Sequence, residues 1–77
     1  VLVAKDGDEV TLTGVRRLWR WAGAASLSQL AQEGTSSPGG CKFPPEVDVE
    51  VLLGVIEIIA VTDAARASIA GVPVWRA

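Results

Sequence analysis

One cysteine, Cys41, and no histidine deny this 77-residue chain both staples on which very small domains rely. A disulfide needs two thiols, and structural zinc of the usual kind needs four Cys or His ligands. A chain this short buries only about 60–65% of the surface its unfolded form exposes, so its core must be dense or completed by other subunits. Oligomerisation is the expected completion. Hydrophobic residues make up 49% of the chain and charged residues 21%, which separates it from disordered sequences. Seven basic against nine acidic residues give a net charge of −2, so no long-range pull toward a polyanion is built in. No stretch approaches the ~20 uninterrupted apolar residues of a spanning helix, and no basic start leads into an apolar signal sequence. The length allows one domain, residues 1–77, and the lone thiol fits a reducing, cytoplasmic setting. With no methionine present, Val1 reads as something other than a translation start, so residues upstream are expected.

The pattern along the chain predicts an α+β domain: a mostly antiparallel sheet of four to five strands with two short helices. Val1–Ala4 is apolar and β-branched, and the Asp6-Gly7 pair after it is a hairpin signal. From Glu9 the alternation puts Val10 and Leu12 on a buried face, and Gly14 marks a bulge or bend. Val15–Trp21 admits a continued strand or a helical turn, with strand favoured. Ser26 with Gln29 has capping-box spacing and predicts a helix over Leu27–Glu33, closed by Gly34. Thr35–Gly40 reads as an exposed, mobile loop, and Cys41–Phe43 as a brief strand before Pro44-Pro45. The β-branched run Val49–Val61, divided by Gly54, favours strand, with Glu57 either solvated or paired. Thr62-Asp63 caps a second helix that Gly71 ends, and Val72–Arg76 is an edge-strand candidate because Pro73 cannot donate. A faint echo of Leu12–Val15 in Leu52–Val55 suggests two strand–bend–strand units packed together.

The densest functional-looking patch lies in Arg16, Arg17, Trp19, Arg20 and Trp21, where three of five arginines and two of three tryptophans fall within six residues. Guanidinium groups fork onto phosphates or carboxylates, and indoles offer flat faces to bases or cations. Capture of a phosphorylated ligand is one reading. A second makes the tryptophans core and pairs the arginines with Glu57, Glu50 or Glu33. A third puts Trp19, Trp21 and Trp75 in a subunit or partner interface, since Trp and Arg dominate binding hot spots. Asp6, Asp8 and Glu9 around Gly7 make a hairpin turn rather than a calcium loop, for want of ligands at the required intervals. Glu46, Asp48 and Glu50 alternate with valines and read as a solvated strand face. Cys41 lacks any histidine base, so no catalytic residue, cofactor or metal is expected.

The run Glu9–Leu12, the Arg-Arg-Leu-Trp-Arg-Trp block followed by Ala22-Gly23-Ala24, Ser26–Leu30, and Gly54–Ile59 together resemble a family of small bacteriophage proteins known only as a domain of unknown function. The similarity covers nearly the whole chain. It implies a phage-encoded protein of the infected bacterial cytoplasm, whose relatives carry a further strand upstream of Leu2 that this chain lacks, and it supplies no binding or catalytic residues. The reading that follows is a non-enzymatic accessory protein: a homo-oligomer that binds a small anionic ligand, such as a nucleotide signal of host defence, and touches no membrane. Its alternatives are a structural or protein-interaction module built on a Trp/Arg interface, and a single-stranded nucleic-acid binder.

Overall fold

The computed structural model describes residues 1–76. Two strands, β1 (Leu2–Asp6) and β2 (Glu9–Val15), form the hairpin that Asp6-Gly7 announced. Asp6 pairs with Glu9 across a two-residue turn in which Gly7 takes φ 59°, and the register slips between Leu2 and Ala4, a bulge that bends the first strand. A third strand, β3 (Val47–Leu52), pairs antiparallel with β2 without a slip, from Val10 opposite Leu52 to Val15 opposite Val47. The sheet order is β1-β2-β3. The echo does not mark two strand–bend–strand units: Leu12–Val15 pairs with residues 47–50, Leu52 lies opposite Val10, and β2 ends at Val15 and β3 at Leu52, so no second strand follows either bend.

Alternation sends Val10, Leu12 and Leu52 to the inner face, where Val10 is buried, as the sequence predicts. The opposite face carries Val47, Val49 and Val51 beside Thr11 and Thr13, and those valines are exposed. On the inner-face side of β3, Asp48 is solvated while Glu50 is half-buried against an arginine.

Two short helices complete the domain, α1 (Leu27–Glu33) and α2 (Asp63–Ala70). Their bounds match expectation because each starts on a local cap. Ser26 Oγ accepts from Gln29 N at 3.1 Å, while Gln29 Oε1 accepts from Ala25 N. Thr62 Oγ1 accepts from Ala65 N and also donates to Gln32 O, and Thr62 N donates to Ala31 O. One threonine thus starts α2 and fastens it to the last turn of α1. Beneath the helices, Leu30, Cys41, Phe43 and Val72 form the buried core, with Leu18, Trp21, Ala24 and Ile69 packed around them.

The α+β class stands, but the sheet has three strands rather than four to five. Val15–Trp21 is neither a continued strand nor a helical turn: β2 ends at Val15, and Arg20 alone forms a bridge, to Lys42. The block leaves the sheet because Arg16 finds its acceptors on other segments, as described below. In the apolar run, β3 stops at Leu52, and Leu53–Val61 pairs with no strand. Val72–Arg76 contributes one parallel bridge, Phe43 to Val74. Thr35–Gly40 is tied down more firmly than its composition implies. Thr35 donates from N to Ser68 Oγ and from its hydroxyl to Ala22 O, and Pro38–Gly40 closes a 3₁₀ turn.

Gly34 shows the tightness of the helix junction. It takes φ 77°, donates from N to Leu30 O, and lies so close to the Ser68 side chain that a Cβ would collide with it. Gly34→Ala is therefore expected to lower stability by about 2 kcal/mol, from backbone strain plus overpacking. Gly39→Ala meets no neighbour within 4 Å and should leave stability within about 0.5 kcal/mol of the parent. Urea unfolding followed by circular dichroism measures both.

Candidate functional site

The five residues singled out in the sequence divide into supports and exposed groups. Arg16 is a support. Its Nε donates to Pro44 O at 3.1 Å, Nη1 to Ile69 O at 2.9 Å, and Nη2 to Phe43 O at 3.1 Å and Val72 O at 2.8 Å. Its guanidinium carbon also lies 5.4 Å from the centroid of the Phe43 ring. A guanidinium has five N–H donors in a rigid fork, and here the fork gathers carbonyls from the end of α2, the turn after it and the Phe43-Pro44 segment. Trp21 is also internal, packed against the core, with Nε1 donating to Ala24 O at 3.2 Å. Arg17 is exposed and its Nη2 meets Glu50 Oε1 at 2.7 Å. That is the pairing with Glu50 expected as one alternative, and it is the one ion pair among the described residues.

Trp19 and Arg20 remain outward-facing, and the fold gives them partners far off in sequence. Trp19 N and Arg20 N both donate to Lys42 O, and Lys42 N donates to Arg20 O at 2.7 Å. On the other side, Trp75 N donates to Phe43 O at 3.0 Å. Three short segments therefore lie side by side, with Lys42-Phe43 in the middle. Neighbouring residues on extended backbone point to opposite sides, so Phe43 enters the core at 0% exposure while Lys42 points out.

Outside, the indoles of Trp19 and Trp75 stack with centroids 5.0 Å apart and planes within 8° of parallel. The Lys42 ammonium sits 5.1 Å from the Trp19 ring and 5.4 Å from that of Trp75. Such cation–π contacts contribute ~0.5–1 kcal/mol at exposed sites. Trp19 remains 63% exposed. Arg20 and Lys42 exchange backbone hydrogen bonds, so their side chains leave the pair on the same side. Neither forms an ion pair among the described residues. The platform is thus Trp19, Arg20, Lys42 and Trp75. Sequence reasoning missed Lys42, and saw Trp75 only as an interface aromatic. Nothing local in the sequence sets residue 19 beside residue 75.

Cys41 is buried, with its Sγ near Ala22 O, Thr35 Oγ1 and Ser37 O at 3.6–3.7 Å. Among the described residues, no group of three Cys, Asp or Glu side chains could hold a metal ion, and no helix is long and apolar enough to cross a membrane.

A three-strand antiparallel sheet, two capped helices and an aromatic–cationic platform define a small α+β domain. Residues 1–69 match the family described as a domain of unknown function, DUF6948, and the chain belongs to that family. No curated protein and no solved structure matches it.

The role of Arg16 as a support gives a direct test. Arg16→Lys keeps the charge but cannot reach four carbonyls, so it should lower unfolding stability by about 3 kcal/mol, since hydrogen bonds from a charged donor contribute roughly 1.5–3 kcal/mol each and part are retained. Arg17→Lys, which changes only an exposed pair, should shift stability by under about 1 kcal/mol. The midpoints of urea unfolding compare the two.

Proposed function

We propose that this domain is a non-enzymatic binding protein that grips a small, planar, anionic ligand of nucleotide chemistry at the Trp19–Trp75 platform. One observation carries the reading: two cations, Arg20 and Lys42, stand directly opposite each other on paired backbone, with no carboxylate paired to either among the described residues, beside an indole stack in which Trp19 is exposed and Trp75 half-buried. Like charges placed opposite one another are destabilising. An anion between them converts that repulsion into two charge-assisted contacts, while an indole face accepts a base by stacking. Arg16 and Trp21 serve the site from within, and Arg17 stands with Glu50 outside the platform.

A homo-oligomer would bring several such platforms together although each chain carries net charge −2. The bacteriophage origin implied by the sequence resemblance belongs to the same proposal: in the cytoplasm of an infected bacterium, such a protein would sequester a nucleotide signal of host defence. A separate observation, the exposed aliphatic surface that includes Leu53, Ile56 and Ile58, supports the homo-oligomer; the alternative reading is an assembly or interaction module that uses the Trp/Arg surface itself as its interface.

Calorimetric titration of the purified chain with cyclic and linear nucleotides decides between them. Ligand capture predicts saturable heat with quenching of tryptophan emission, and at least about tenfold weaker binding in Trp19→Ala and in Arg20→Glu. No heat with any nucleotide would leave the assembly reading. Binding to single strands that weakens steeply with salt would instead point to a nucleic-acid binder.

A further inference from the structure

A second apolar feature shares no residue with the ligand platform. A groove of about 550 Å³ opens between the inner face of the sheet and the segment after β3, lined by Leu2, Val10, Leu12, Leu52, Ile58 and Ile59. Beside it stand aliphatic side chains with nothing over them: Ile56 is 100% exposed and Leu53 75%. Val55 N donates to Asp8 O, but from Ile56 to Val61 no backbone N–H has a backbone partner among the described residues. The segment is β-branched and suited to a strand, yet the monomer offers it no neighbour.

The surface area points the same way. The chain exposes 5323 Å², whereas a compact protein of its 8.0 kDa mass exposes ~4450 Å². Its radius of gyration is 12.6 Å against ~11.5 Å for a compact chain of this length. The excess, roughly 900 Å², is close to the ~800 Å² that each partner contributes to a standard interface. Charge is complementary as well. Glu57, the one acidic residue of the segment, and Arg66 of α2 both line the groove without pairing with each other.

We propose that a second copy of this chain docks on this face about a two-fold axis, each copy placing Ile56 and the strand-like backbone of 55–61 into the groove of the other. The arrangement is self-complementary, because knob and groove lie on the same surface of one chain. Glu57 of each copy then meets Arg66 of the other, an exchange of contacts that a two-fold axis makes twice. The segment that lacks a strand partner in the monomer gains one by augmentation of its neighbour.

Analytical ultracentrifugation of the full chain, with hydrogen exchange on the same samples, tests the contact. The expected result is a dimer at micromolar concentration whose amides in 56–61 gain protection as concentration rises. Ile56→Asp alters a fully exposed side chain, so it should leave the circular dichroism spectrum unchanged and raise the dimer dissociation constant at least 30-fold. Glu57→Arg and Arg66→Glu should each weaken the dimer, and the double variant should restore it. A wild-type chain that stays monomeric at 100-fold higher concentration, or a dimer indifferent to Ile56→Asp, overturns the proposal. Neither result bears on nucleotide binding at the Trp19–Trp75 platform.

Discussion

The fold turns on one side chain. Arg16 leaves the end of β2 and sends four N–H donors into carbonyls of Phe43, Pro44, Ile69 and Val72. Those carbonyls lie at the end of a helix, in the turn beyond it and on an extended segment; Phe43 O and Ile69 O also accept from Trp75 N and Val72 N, whereas Pro44 O and Val72 O have no backbone donor among the described residues. Arg16 is the place where the sheet is joined to the helical half. Because guanidinium is planar and always charged, it can hold several carbonyls at once with Phe43 against its face. This also explains why the Arg/Trp block departs from the sheet. Continuing β2 past Val15 would carry Arg16 away from residues 69 and 72.

The platform follows from that join. Once Phe43 is fixed under Arg16 and buried, its neighbour Lys42 must face outward, and the segments that bridge to Lys42-Phe43 bring Trp19 and Trp75 in from either side. The stack of indoles is the outer layer of a construction whose inner layer is Phe43, Leu30 and Val72. The exposed chemistry and the core are thus two sides of the same three short segments. A change to the inner layer would move the platform even where it touched no exposed residue.

How much of this could be read from the sequence depends on the range of the forces involved. Ser26 with Gln29, Thr62 with Asp63, and Asp6-Gly7 act within a few residues, so both helices and the first hairpin were legible. The inner-facing positions of β2 were legible too, because alternation is local. Strand identity in Leu53–Val61 was not, since β-branched residues record fitness for a sheet and not the presence of a neighbour. The roles within the Arg/Trp block were equally hidden. Arg16, Arg17 and Arg20 look alike in sequence, yet one meets carbonyls 27 to 56 residues away, one meets Glu50, and one lies opposite Lys42. Arg17 and Arg20 are both exposed, and of the two only Arg20 has no carboxylate partner among the described residues.

The two halves of the chain are finished to different degrees, and the difference is physical. The helical half closes a buried cluster of Leu30, Cys41, Phe43 and Val72, whereas in the sheet only Val10 is fully buried. A three-stranded sheet is twisted and has two faces, and one chain of this size has material to cover part of one. Leu53–Val61 lies along the inner face without closing it, and the outer face keeps three valines in solvent. No disulfide or zinc site holds the open half, and the proposed second copy would supply cover there. The aromatic platform, by contrast, is built on Lys42-Phe43 over the buried cluster of Leu30, Phe43 and Val72, and a packed core can hold its rings and cations in fixed positions.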